Sequence, residues 1–102
     1  MPIVIPETSR EAMQAAITGF DRGERSPRWR EGRSGWMLNE NHRYVIVHSG
    51  RRYPVKEIIR LAIRASGGDW MANFSGGKAQ ANRYARRYGF EIDEIETRVR
   101  NI

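Results

Sequence analysis

Apolar residues along the chain fall into three helix-period segments and several short strand-period runs. Met13, Ala16, Ile17 and Phe20 recur at the three- and four-residue spacing that lines one face of a helix. Thr8 and Ser9 stand at its start, with Glu11 three residues after Thr8 as a capping box requires, and Gly23 is the expected stop. A second helix is predicted from Pro54, a residue whose missing N–H costs nothing at a first helical position. Ile58, Leu61, Ala62 and Ala65 form its buried stripe, Ile59 and Ile63 widen it, and Ser66-Gly67-Gly68 ends it. Ser75 caps a third helix with Ala81, Tyr84, Ala85 and Tyr88 on its inner face and Gly89 at its end.

Strand signals lie between and after these segments. Trp36-Met37-Leu38 is a short candidate, and RYVIVH, rich in β-branched residues, is a stronger one. Ser49-Gly50 makes a tight turn into a partner strand, Arg51-Arg52-Tyr53, and Phe90-Glu91-Ile92 is the last strand. The order α-β-β-β-α-α-β predicts an α+β fold, a small antiparallel sheet packed against about three helices. Residues 1–102 are read as a single domain, with a short acidic tail from about residue 93.

Charge narrows the functional classes. The formal net charge is +6, and the stretch from Arg22 to Arg87 holds fifteen basic residues against five acidic ones. Only Lys56 and Lys78 are lysines; the other sixteen cations are arginines, whose forked guanidinium suits phosphate and guanine edges. A field of that sign favours polyanions, nucleic acid foremost. There is no cysteine, which excludes disulfides, thiolate zinc sites and a cysteine nucleophile. No apolar run reaches the roughly 20 residues of a membrane span, and the first residues lack a secretory pattern, so a cytoplasmic protein is expected. The histidines are His42 and His48. The fragment Asn39-Glu40-Asn41-His42 has a faint nuclease look, but no second cluster of metal ligands accompanies it. Catalysis, a metal and a cofactor are not expected.

Three local features bear on binding. The loop containing Arg22, Arg25, Arg28, Trp29, Arg30 and Arg33 reads either as a phosphate grip with a stacking indole or as a loop whose tryptophan plugs the core edge. Phe74-Ser75-Gly76-Gly77-Lys78 opens a helix with two glycines, which suits phosphate approach to bare N–H groups; a tight capping turn is the alternative. Lys56 and Lys78 both fall near the third position of a helix, where a cation opposes the macrodipole unless an anion is bound. Together they read as a phosphate clamp, or Lys56 reads as half of a buried pair with Glu57 or Asp69.

The run YVIVHSGRRYPVKEIIRLA, followed by NFSGG and YGFEI, resembles the N-terminal head domain of McrA-like bacterial type IV, modification-dependent restriction endonucleases. The likeness spans roughly Arg43 to Ile92. Those proteins join such a head to modified-DNA readers and an HNH nuclease, and nothing in this chain matches the nuclease. The resemblance implies that Tyr53, Lys56, Ser75, Gly76 and Gly77 belong to a shared framework.

The expected function is a non-catalytic DNA-binding accessory domain of a restriction or defence system. Its partners are nucleic acid, DNA foremost, and a fused or associated nuclease. Arg51, Arg52, Lys56, Lys78, Arg83, Arg86 and Arg87 are expected to hold phosphates, with Gly76 and Gly77 allowing close contact. Trp29, Arg30, Tyr53 and Ser75 complete the candidate interface. A regulatory domain docking on a nuclease or acidic partner, and a sensor of a small phosphorylated ligand, are the alternatives.

Overall fold

A computed structural model describes residues 5–29, 44–71, 74 and 80–94. The described elements are α1 (Arg10–Asp21), β1 (Tyr44–His48), β2 (Arg51–Pro54), α2 (Val55–Ala65), α3 (Ala81–Arg87) and β3 (Glu91–Glu94). The strands form an antiparallel sheet in the order β2-β1-β3, packed against the three helices, so the chain is an α+β fold as its patterning predicts. The candidate strand at Trp36-Met37-Leu38 and the predicted Ser75 cap lie outside the described residues.

Sheet register follows from the hairpin. Ser49 and Gly50 both take positive φ, 52° and 75°, the combination of a two-residue turn whose twist matches the strands it joins. Ile46 thereby stands opposite Tyr53 on one side and Ile92 on the other, a cross-strand row of one face. Ile46 and Tyr53 are buried in the core and Ile92 packs against it. Pro54 ends β2 in an extended conformation (φ −72°, ψ 122°) and serves as the N-cap of α2, one residue earlier than expected. Its fixed φ suits an extended residue equally well, and β2 is an edge strand, where a missing N–H is tolerated. The last strand runs on through Asp93 and Glu94, which pair with Val45 and Tyr44.

Helix α2 is central. Val55, Glu57, Ile58, Ile59, Arg60, Leu61, Ala62 and Ile63 are all buried, so burial extends nearly around the helix rather than along one stripe. The most extensive helix pairing is with α1, through the Met13, Ala16, Ile17 and Phe20 face that the sequence predicts. Ile58, Ile59 and Ile63 are fully buried, and each isoleucine removed from water contributes about 1.5–3 kcal/mol. Ala65, expected in the stripe, is exposed with Arg64 and Ser66.

Capping also differs in one place. Ser9, not Thr8, is the N-cap of α1 and accepts from the Ala12 N–H at 3.0 Å. Thr8 faces the other way, donating to the Ala62 carbonyl at 3.1 Å and lying 2.7 Å from the Ser66 hydroxyl. All three helices close with the same pair of backbone bonds around a positive-φ glycine, as in Gly23 N–H to Phe20 O and Glu24 N–H to Gly19 O.

The segment before α1 straps the end of α2 to α3. Besides the Thr8 contacts, the Tyr84 hydroxyl donates to the Pro6 carbonyl and the Thr8 N–H donates to the Tyr88 hydroxyl at 3.3 Å. Burial pushes the Tyr84 hydroxyl above its ordinary pKa of 10, with Tyr88 adding to the effect. A phenol held protonated in the fold favours folding below pH 10, and that contribution is lost as pH rises, because the unfolded chain ionises first. Urea unfolding should therefore show stability falling above about pH 10. Tyr84→Phe should cost about 1 kcal/mol at pH 7 and visibly flatten the alkaline loss.

Candidate nucleic-acid interface

The loop after α1 is fixed by a buried carboxylate. Glu57, on α2, accepts from both the backbone N–H and the hydroxyl of Ser26, the latter at 2.7 Å. Both residues are buried. Arg25 then folds back on the loop, its guanidinium 3.6 Å from the Phe20 ring centre and 5.2 Å from that of Trp29. It also donates to the carbonyls of Phe20 and Glu24 at 3.0 and 2.7 Å. Trp29 packs edge-on against Phe20, centroids 5.5 Å apart, and is half-buried against the core. That geometry gives the indole a packing role.

On the same flank, Lys56, Arg60 and Arg64 follow one another at four-residue steps along α2, each over an aromatic ring. Lys56 Nζ is 5.3 Å and Arg60 Cζ 4.7 Å from the Phe74 centroid, and Arg64 Cζ is 4.4 Å from that of Trp70. Arg60 is buried and donates to the Trp70 carbonyl at 3.2 Å. Arg28 reaches across from the loop after α1, its Nε donating to the Met71 carbonyl at 3.1 Å. Burial, Arg60 and Arg28 all lower the Lys56 pKa from its ordinary 10.5. Burial and Arg28 lower that of Arg60, with Glu57 opposing. Neither expected carboxylate partner takes Lys56: Glu57 is held by Ser26, and exposed Asp69 accepts from the Met71 N–H at 2.9 Å.

The other expected site residues are dispersed. Arg83, Arg86 and Arg87 share the exposed side of α3, opposite buried Ala81, Asn82, Tyr84 and Ala85. Arg87 lies 5.6 and 5.8 Å from the Tyr84 and Tyr88 rings. Arg51 and Arg52 are exposed on the β2 edge, whereas α3 packs on α2 and β3, toward the other edge of the sheet. Arg51 stands 3.6 Å from Asp21. Tyr53 is buried, and its hydroxyl donates to both Asp21 carboxylate oxygens at 3.0 Å; burial first, and that bond second, raise its pKa. Arg30, Ser75, Gly76, Gly77 and Lys78 lie outside the described residues, and the two-lysine clamp with them.

Sequence reasoning passed over Arg60 as a site-forming group. The four-residue steps from Lys56 to Arg64 were visible; the burial of Glu57 and Arg60 inside so apolar a helix was not. Asn82 was also missed: it is fully buried, and among the described residues neither its carbonyl nor its amide nitrogen has a hydrogen-bond partner.

Among the described residues no group of three or more His, Asp or Glu is placed to hold a metal ion, and no helix is long and apolar enough to cross a membrane. His48 sits beside Phe90, 5.8 Å between ring centres. The class these features define is a small α+β module with arginines on several faces. Within that class the chain belongs to the ScoMcrA-like N-terminal head domain family, whose model matches residues 7–94, in agreement with the resemblance carried by the sequence. No curated protein and no solved structure gives a significant match.

The Glu57–Ser26 bonds yield a direct test. Glu57→Ala leaves a buried N–H and hydroxyl without their acceptor and removes the carboxylate beside Arg60. Chemical denaturation should show a loss of about 2–4 kcal/mol, while Glu24→Ala, at an exposed loop position, should stay within about 0.5 kcal/mol of wild type.

Proposed function

We propose that this head domain is a DNA-binding accessory module of a restriction system, supplying phosphate contacts to a nuclease carried elsewhere. The observation that supports this most is helix α3. Its inner side chains are buried, and its outer side presents Arg83, Arg86 and Arg87 with no acid in the first turn. Three guanidiniums on one exposed face of a chain of net charge +6 suit the backbone of a nucleic acid. Arg51 and Arg52 at the hairpin, Arg30 in the basic loop, and Lys56 with the Ser75-Gly76-Gly77-Lys78 stretch complete the phosphate-holding set in this reading, while half-buried Trp29 offers a base the part of its ring left exposed. Tyr53 supports it from within, by fixing Asp21 beside Arg51.

Contacts of this kind are sequence-independent and steeply salt-dependent. Fluorescence anisotropy with labelled oligonucleotides should show the Arg83→Ala/Arg87→Ala variant weakened about equally on unrelated sequences. The slope of log affinity against log salt should become shallower by about one unit per lost contact. Loss on one sequence alone would mean base readout. Unchanged DNA affinity would count against the reading and favour docking on a protein partner.

A further inference from the structure

Lys56 is the outlier of the cationic row on α2. Arg60 donates to Trp70 and Arg28 to Met71, so each guanidinium has an acceptor. Among the described residues the Lys56 ammonium, half-buried over Phe74, has neither a hydrogen bond nor an ion pair. Its sequence neighbour Glu57 is committed to Ser26. A half-buried ammonium with three donors and no acceptor normally needs a counter-charge. The groups nearest in electrostatic effect are two more cations.

We infer that Lys56 and Arg28, backed by Arg60 beneath them, form an anion site that takes a phosphate group of a nucleic-acid strand. Three chain segments build it: the loop after α1 through Arg28, helix α2 through Lys56 and Arg60, and the connection after α2, which accepts from Arg28 at Met71 and supplies Phe74. Among the described residues Arg28 bonds through Nε alone, to Met71, which leaves its terminal nitrogens for a ligand. Burial first, then the neighbouring Arg60 and Arg28, lower the Lys56 pKa, and an anion bound at the ammonium would oppose all three. A bound phosphate supplies the missing acceptor and the missing charge together. The polymer rests on the DNA-binding reading; the anion does not. Either an internal phosphodiester or a terminal phosphomonoester has the oxygens required.

The first test uses inorganic phosphate, titrated at constant ionic strength against chloride and followed by amide and side-chain NMR. Saturable shifts centred on Arg28, Lys56 and Phe74, abolished in Lys56→Met and weakened in Arg28→Gln, are expected. Shifts that chloride reproduces, or that survive in Lys56→Met, overturn the site. Denaturation of Lys56→Met should give a midpoint no lower than wild type, since the ammonium holds no protein acceptor. A markedly lower midpoint would make it a structural group and overturn the site as well.

Oligonucleotides supply the second test. Lys56→Met should weaken binding about tenfold, the loss of one charge-assisted phosphate contact. A loss confined to 5′-phosphorylated strands assigns the site to a terminal phosphate, and an equal loss on 5′-hydroxyl strands assigns it to the backbone. Undiminished binding by the variant sinks the site and leaves the DNA reading standing. Phosphate binding without any oligonucleotide affinity does the reverse.

Discussion

Helix α2 is buried around most of its circumference, and that burial constrains the rest of the fold. A helix so placed has little open surface on which to leave a charged side chain, yet its sequence carries Glu57 and Arg60 among isoleucines. Burying either without partners would cost more than a hydrophobic neighbour returns. The fold meets this by drawing loops inward. Ser26 comes to Glu57, and the carbonyl of Trp70 comes to Arg60. Ser26 before the hairpin and Trp70 after the helix are thus both held by bonds from α2.

Most of the architecture was legible because local and global signals agreed. The α1 face, the Ser49-Gly50 turn, the glycine stops and the inner side of α3 all lie where spacing and turn chemistry put them. Misplacements fell where tertiary contacts choose between adjacent residues. Thr8 and Ser9 are both competent caps; Thr8 is used on α2 because Ala62 and Ser66 lie within its reach. The candidate site was less legible. Arg83, Arg86 and Arg87 could be placed outward from the helical period alone. That Lys56 stands without a carboxylate depends on where Ser26 and Met71 come to rest, which no local pattern encodes.

Net charge is also a poor guide to how many arginines face solvent unengaged. Arg25 lies on Phe20 and donates to two loop carbonyls, and Arg10 donates to Tyr88 and lies 5.1 Å from the Phe90 ring centre. These guanidiniums serve as planar, weakly hydrated packing groups whose charge happens to remain. Membership of the head-domain family fits a chain in which arginine both builds the module and coats it.

Among the described residues the two outer strands of the sheet carry charge of opposite sign. Arg51 and Arg52 lie along β2, while Glu91, Asp93 and Glu94 lie along β3. Such borders, attractive to each other, invite copies to join head to tail into an endless ribbon. Each border offers only four residues, and Pro54 removes a donor from the basic one. The brevity of these strands leaves little backbone by which one copy could extend the sheet of the next.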